Sequence, residues 1–283
     1  MILVTAANGR TGRSVVGALW RSGRRVRAFD IDPDVEQLTG GGAAEAVVGD
    51  LLDPDDLQRA VHGVRAVIHI GPPLHPREAE MGHAVVGAAR REGVEHLVQF
   101  SVTHPQLEPL LNHQAKLAVE RLVLLSRLPF TILQPMHYMQ NTDVRGVAAE
   151  GVLRQPYALD TRLAHVDMED VAEVAALVVG DPRHHYATYE LCGTDYCDVH
   201  ELARIIGTVS GRTVAAERTE LPPGGGASAG PGEVDDYRHD AMTRLFDHYG
   251  RYGITGNPNV LTWLLGRAPT SFDGFVRRSL DDA

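Results

Sequence analysis

The chain opens with an apolar run, Ile2-Leu3-Val4, that passes through Thr5-Ala6-Ala7-Asn8-Gly9-Arg10-Thr11-Gly12-Arg13 into the helix-like Ser14-Val15-Val16-Gly17-Ala18-Leu19-Trp20. An apolar strand, a turn of small residues and a helix start are the parts needed to lay backbone N–H groups and a positive helix end against a pyrophosphate. The turn has the form A-x-x-G-x-x-G, with Ala6 where the tightest glycine is usual. An ordinary strand-to-helix turn could carry the same residues, so a second signal has to decide. It follows in Arg24-Arg25-Val26-Arg27-Ala28-Phe29-Asp30, a second strand ending in an acid eighteen residues beyond Gly12. A carboxylate there is placed to accept hydrogen bonds from an adenosine ribose, and the two coupled signals predict a dinucleotide site.

Strand-like and helix-like segments then alternate, with strands expected at Ile2–Thr5, Arg25–Phe29, Glu45–Val48, Ala66–Ile70, His96–Phe100 and Phe130–Gln134. Such alternation predicts an α/β fold, a Rossmann-type doubly wound parallel sheet with helices on both faces. Asp53-Pro54-Asp55-Asp56-Leu57 has the marks of a helix start, with proline in the first turn and acids at the positive end. After Pro135 the rhythm breaks; Thr161–His165 is a strand candidate and Glu169–Val179 a helix with Asp167 as its cap. The low-complexity stretch from Pro222 to Gly232 reads as a surface loop or a substrate lid.

Charge and cysteine usage narrow the function classes. The chain has 27 Lys+Arg against 37 Asp+Glu, a net charge of −10, which repels phosphodiester backbones and anionic lipid. General nucleic-acid binding is disfavoured on that ground, and neither a nucleic-acid nor a membrane partner is expected. Cys192 and Cys197 are too few for a disulfide framework and lack companions for a metal site, so reduced, inert thiols in a cytoplasmic protein are expected. No segment approaches the roughly 18 apolar residues of a membrane span, and no basic then apolar leader precedes Ile2.

Several phrases resemble, in order, the NmrA-like group of atypical short-chain dehydrogenase/reductases, including its quinone-oxidoreductase-like members. They include V-V-G-D-L-L-D-P-D-D-L (Val47–Leu57), G-V-R-A-V-I (Gly63–Ile68), A-A-R-R-E-G-V-E-H-L-V-Q-F-S (Ala88–Ser101), K-L-A-V-E-R-L (Lys116–Leu122), L-P-F-T-I-L-Q-P (Leu128–Pro135), A-H-V-D-M-E-D-V-A-E-V-A-A (Ala164–Ala176) and G-R-A-P-T-S-F-D-G-F-V-R (Gly266–Arg277). The resemblance implies a Rossmann domain over residues 1–135. It implies a smaller substrate-binding part over 136–283 that returns chain to the first domain, with a cleft between the two. For the cofactor it implies Asn8, Gly9, Arg10, Thr11 and Gly12 at the pyrophosphate, Asp30 and Ile31 at the adenosine ribose, and Asp50 and Leu51 at the adenine. Ile70, Gly71 and Pro72 would then pass close to the nicotinamide ribose, which Lys116 would hydrogen-bond; a helix lysine paired with Glu120 is the structural alternative for Lys116. Met136-His137-Tyr138-Met139 reads as a substrate wall or as core packing.

The departures from that pattern carry the functional reading. The superfamily's Tyr-x-x-x-Lys is here Asn112-His113-Gln114-Ala115-Lys116, so the phenol that would exchange a proton is absent. His113, Tyr138 and His104 remain as candidate acids, with Lys116, His113 and Tyr138 taken as the catalytic set. A quinone can collect its proton from water on reduction, whereas a simple ketone needs an acid worth about 10² to 10⁴ in rate. The expected activity is therefore hydride transfer from NAD(P)H to a quinone or other flat conjugated carbonyl, in a monomer or homodimer, with secondary metabolism a possible setting. An NAD(P)-sensing regulator without catalysis and a non-redox isomerase or cyclase are the alternatives. Asp30 followed by Ile31, where NADP-binding members carry an apolar residue and then arginine, tilts the cofactor towards NAD(H). Arg10, Arg13 and Arg27 are close enough in sequence to oppose that tilt.

Overall fold

The computed structural model describes residues 1–221 and 233–281, so the Pro222–Gly232 stretch read as loop or lid lies outside the described residues. In chain order the elements are β1 (Ile2–Thr5), α1 (Arg10–Arg21), β2 (Val26–Asp30), β3 (Glu45–Val48), α2 (Pro54–Val61), β4 (Ala66–His69), α3 (Glu78–Glu92), β5 (His96–Phe100), α4 (Leu111–Leu125) and β6 (Phe130–Pro135). There follow β7 (His137–Tyr138), α5 (Val144–Glu150), β8 (Val152–Gln155), β9 (Leu163–Val166), α6 (Met168–Val178), β10 (Ala187–Leu191) and β11 (Tyr196–Cys197). The chain ends with α7 (Val199–Ser210), β12 (Ala215–Arg218), α8 (Glu233–Tyr252), α9 (Asn259–Leu265) and α10 (Phe272–Asp281).

Two compact units result, one of residues 1–108, 112–134 and 171–189, the other of 109–111, 135–170 and 190–283. The first unit holds the main sheet, in the order β10-β6-β5-β4-β1-β2-β3. Strands β1 to β6 pair in parallel. Strands β1, β4 and β5 are buried along their whole length, which is why they read as continuous apolar runs rather than alternating ones. Helix α1 packs Val15, Val16 and Leu19 inward, and Leu3, Phe29, Leu57 and Leu97 are buried to within 2% of complete. Each such side chain contributes about 2 kcal/mol. The strand order reverses at β1, with β2 and β3 on one side and β4 to β6 on the other, and ligands of such sheets lie outside the carboxyl ends of the strands at that reversal.

Sequence and structure differ at some strand ends. The second strand begins at Val26 rather than Arg25 and closes on Asp30, whose Cα pairs with Val48 of β3, as the acid at its end suggested. The candidate at Thr161–His165 begins two residues later, at Leu163, where pairing with β11 starts. Helix α6 does carry Asp167 ahead of it, with Oδ1 accepting the Glu169 N–H at 3.1 Å.

The second unit is built around short sheets, β11-β9-β7 and β12-β8. Its interior includes a nest of rings: His137 stands against His165 and Tyr249, Tyr157 against Phe246 and Tyr249, and His165 against Phe272. Two buried acids anchor the last segments. Asp170 accepts from Arg267 Nη2 (2.8 Å), Thr270 N (2.6 Å) and Thr270 Oγ1 (3.1 Å), and Asp167 Oδ2 accepts from Arg278 Nη2 at 2.6 Å. A buried carboxylate is tolerable only when paired in this way.

Candidate functional site

The turn after β1 is shaped by contacts that leave little choice of residue. Thr5 Oγ1 accepts the Ile70 N–H at 3.0 Å and lies 2.9 Å from His69 Nδ1, tying the carboxyl ends of β1 and β4 together. Ala6 then takes a φ of 47°, in the left-handed region that costs a residue with a Cβ about 1 kcal/mol. A Cβ on Gly12 would stand 2.6 Å from Ala7 Cα and 2.7 Å from Ala7 O, and closer still to the Ala6 carbonyl oxygen. Only glycine lets α1 approach the turn so closely. At Gly9 the corresponding distance, to the Ala6 carbonyl oxygen, is 3.3 Å, tight but not closed.

Gly9 caps α1 with no side-chain acceptor, and the first turn carries no acid. Other helices are finished differently: Asp53 accepts from Asp55 N and Asp56 N on α2, and Asp198 with Glu201 forms a reciprocal cap on α7. The amino end of α1, formed by Arg10, Thr11 and Gly12, thus presents its positive dipole uncapped by any side chain, as an anion requires.

At the end of β2 two acids converge on Asn8. Asp30 accepts the Asn8 N–H on Oδ2 at 2.8 Å and the Asp32 N–H on Oδ1 at 3.1 Å. Asp32 Oδ2 accepts from Asn8 Nδ2 at 2.8 Å. Arg13 donates from Nε to the Asn8 carbonyl at 2.9 Å and from Nη2 to Asn8 Oδ1. Arg27 is spent on Glu45 (2.8 Å) and on the carbonyls of Ala60 and His62, both at 2.8 Å. Arg13 reaches Asp30 only through Asn8, and Arg27 is drawn to Glu45, so neither bonds the Asp30 carboxylate directly. Ile31 beside Asp30 is 68% exposed, an uncovered apolar side chain at the strand end.

Asp50 accepts the Leu52 N–H at 2.9 Å and gives its own N–H to Asp56 at 2.9 Å. That bond, and the Arg59 guanidinium after it, hold the Asp56 carboxyl below its ordinary pKa. Leu51 is 8% exposed and packs into the core with Leu57 and Val85, so its side chain faces inward. Ile70 is equally buried, and Pro72 beyond it has no N–H to satisfy.

Lys116, on α4, brings its ammonium to the carboxyl end of β4 beside a partner the sequence did not reveal. Its Nζ is 2.6 Å from Glu78 Oε1, and their side chains are 12% and 2% exposed. Glu120, the alternative partner, instead accepts from Gln134 Nε2 at 2.8 Å. A Cβ on Gly71 would stand 3.1 Å from Glu78 Oε1 and 3.4 Å from Lys116 Nζ, so the bare glycine backs directly onto the ion pair. His69 on β4 is held neutral, its pKa pushed down to about 3 by burial and then by the Lys116 charge. Glu78 sits among charged residues of a helix start and carried no sequence signal. Both of its carboxylate oxygens are buried and neither accepts a hydrogen bond of good geometry among the described residues, so Oε1 meets Lys116 as an ion pair and Oε2 has no hydrogen-bond partner.

The candidate acids fall in different settings. His113 is fully buried, and its Nδ1 lies 2.9 Å from the His104 carbonyl oxygen. A carbonyl only accepts, so Nδ1 carries the proton and donates it there. Tyr138 belongs to the second unit, half-buried on β7 opposite Val166 of β9. Among the described residues Ser101 Oγ and Asn112 Oδ1, both in the first unit, are buried without a hydrogen-bond partner. Ser101 directly follows β5; it closed one of the family-like phrases and was given no role. Among the described residues no group of three or more His, Cys, Asp or Glu could hold a metal ion. No helix among them is long and apolar enough to cross a membrane.

The uncapped end of α1, the close approaches at Gly12 and Gly71 and the unsatisfied Glu78 Oε2 fit a nicotinamide dinucleotide. Comparison with known proteins agrees. The pattern of the NmrA-like family matches residues 1–254. A (4-alkanoyl-5-oxo-2,5-dihydrofuran-3-yl)methyl phosphate reductase from Streptomyces griseus is 33% identical over 223 residues, covering 77% of this chain and 76% of that protein. An NAD(P)H azoreductase from Xenophilus azovorans is 25% identical, covering 98% and 97%. Among solved structures, an NADPH-dependent quinone oxidoreductase from Escherichia coli complexed with NADPH superposes with a TM-score of 0.81 at 23% identity, covering 99% of this chain and 100% of that one.

Proposed function

The chain belongs to the NmrA-like family, and on that premise we propose that it is an NADH-dependent reductase of quinones or other flat conjugated carbonyl compounds. The observation that carries the proposal is the placement of Lys116 Nζ against Gly71 at the carboxyl end of β4, within the same unit as the uncapped turn at Gly9 to Gly12. Bound along these residues, the reduced dinucleotide supplies a hydride. Asn8 to Gly12 take the pyrophosphate, Asp30 with Ile31 takes the adenosine ribose, and Asp50 with the Leu51 backbone takes the adenine edge. Ile70 to Pro72 and Lys116 take the nicotinamide ribose.

The acceptor class follows from which protons these residues can move. Asn112 is neutral, and His113 spends its Nδ1 proton on the His104 carbonyl in a fully buried setting. Neither supplies the proton a simple ketone demands in the same step as the hydride. A quinone or a doubly activated alkene delocalises the incoming charge and takes its proton from water. The chemical name of the Streptomyces griseus relative describes such an alkene, lying between an acyl group and a lactone carbonyl. Ser101, whose buried hydroxyl lacks a partner at the end of β5, is the residue proposed to hydrogen-bond the acceptor's oxygen.

Asn112 favours one other reading, in which dinucleotide occupancy is read out as a regulatory signal without turnover. A single screen decides between them. Purified protein is given NADH or NADPH with a panel of quinones, enones and simple ketones, and nicotinamide absorbance is followed. Turnover of quinones or enones but not ketones is expected; binding of dinucleotide with no turnover across the panel would select the regulatory reading.

A further inference from the structure

The Lys116–Glu78 pair poses a question of charge. A nicotinamide is neutral when reduced and cationic when oxidised, so a lone ammonium beside its ribose would oppose release of the hydride. Where the superfamily has Tyr-x-x-x-Lys, a titratable phenol stands beside the lysine; here that position is the carboxamide of Asn112. Glu78 Oε1 lies 2.6 Å from Lys116 Nζ, with a side chain only 2% exposed. Its place as the first residue of α3 sets the carboxylate at the positive end of a helix of 15 residues. Both charged groups back onto Gly71, at 3.1 and 3.4 Å from where its Cβ would be. The remaining titratable side chain on this strand end, His69, is 1% exposed and bonded to Thr5.

We propose that Glu78 is a positioning residue for the cofactor: it fixes Lys116 against Gly71 and cancels its charge, so that the site accepts the cationic, oxidised nicotinamide as readily as the reduced one. The carboxylate thereby takes over the counter-charge that Asn112 cannot provide. This rests on the reading that the nicotinamide half of the dinucleotide lies over Gly71.

Calorimetric titration of NAD+ and NADH tests it without any turnover, using the parent chain, E78Q, E78D and the double variant E78Q/K116M. In E78Q a net positive charge remains, and NAD+ should weaken about tenfold relative to NADH, which is about 30 mV in the potential of the bound two-electron couple. E78D keeps the charge and E78Q/K116M removes both charges, so each should hold the parent's NAD+/NADH affinity ratio to within about twofold. An unchanged ratio in E78Q overturns the proposal. So does a purely structural result, in which E78Q and E78D lose both cofactor forms alike as their melting temperatures fall. Should E78Q not fold, the double variant decides, because a ratio more than about threefold from the parent's is incompatible with charge cancellation. A parent chain that binds neither form overturns the placement of the cofactor as well, whereas normal binding with no shift in E78Q removes the role of Glu78 alone.

Discussion

Asp30 and Asp32 grip Asn8 by its backbone and its side chain, through bonds of 2.8 Å to the Asn8 N–H and 2.8 Å to its Nδ2. Asp30, the acid proposed to take the adenosine ribose, is therefore also one of the two carboxylates that shape the turn. Arg13 is bonded to Asn8 and Arg27 to Glu45, so neither guanidinium bonds Asp30 or Asp32 directly, and a 2′-phosphate in the proposed site would meet two carboxylates. NADH should bind at least about tenfold more tightly than NADPH. Asp30→Ala should narrow or invert that gap while loosening the turn, and Asp32→Ala should narrow it less. Calorimetry with both cofactors checks this, and equal affinities in the parent chain would defeat it, bringing the chain into line with its NADPH-bound structural neighbour.

The two glycines of the turn should fail in different ways. Gly12→Ala drives a Cβ to 2.6 Å from Ala7 Cα, so the helix must move off the strand, at a cost of about 1–3 kcal/mol in unfolding free energy. Gly9→Ala meets a carbonyl oxygen at 3.3 Å, which a shift of a few tenths of an ångström relieves. Gly9→Val, with a branched chain where the pyrophosphate must approach, should abolish dinucleotide binding and leave the melting temperature within a few degrees of the parent's. Thermal melts and cofactor titration of these variants separate the two roles.

What could be read from the sequence was local. The strand, turn and helix at the amino terminus show their pattern within a dozen residues, and Asp53 with Pro54 announces α2 because a cap and its helix are adjacent in the chain. The central parallel strands β1 and β4 were legible because burial on both faces leaves them largely apolar. The partner of Lys116 was not legible, since i+4 spacing pointed to Glu120 while the real contact reaches across from another helix to Glu78. Thr5 gave no sign of its role either, because its partners His69 and Ile70 lie more than sixty positions away. Nor could sequence proximity tell that Arg27 turns towards Glu45 and the carbonyls after α2. Asp30 was legible as an acid at a strand end, but not as a residue that also supports the turn.

In the second unit, the buried carboxylate of Asp170 should be worth more than a surface ion pair. It is 1% exposed and takes three donors from Arg267 and Thr270. Asp170→Ala leaves those donors unmet and should cost about 2–4 kcal/mol. It should also free the segment leading into α10, so that trypsin cuts at Arg267 faster in the variant. Undiminished stability in urea with unchanged proteolysis would mean that the contact is incidental.

Stability should fall as the solution is acidified through the histidine range. Burial pushes His69 and His165 down to about 3 and His96 to about 4. Their folded-state values lie below the unfolded one, so the unfolded chain takes up protons first. The stability they contribute is complete above pH ~6.5 and is lost as pH falls from there towards their folded values, by up to about 1.4 kcal/mol per pH unit for each. Urea midpoints measured between pH 7.5 and 5 should decline over this window, before most carboxylates titrate. His165→Gln, which removes one of the three groups, should flatten the decline; an identical slope would show that His165 is not buried in its neutral form.

The hydride acceptor can be read from how Lys116 and His113 respond separately. In the proposed site Lys116 holds the ribose that anchors the donor ring, and a misplaced donor costs mainly in the transition state. Lys116→Ala should therefore lower kcat by about a hundredfold while NADH affinity falls by less than about tenfold. His113 is different, because its Nδ1 proton is already given to the His104 carbonyl and the ring is wholly buried. His113→Asn should lower the melting temperature by several degrees yet leave quinone turnover within about threefold, since a quinone draws its proton from solvent. Stopped-flow traces with a quinone, run at two pH values, distinguish the cases. A large loss of the hydride step in His113→Asn, growing as pH rises, would make His113 the acid after all and would extend the acceptor class to ketones.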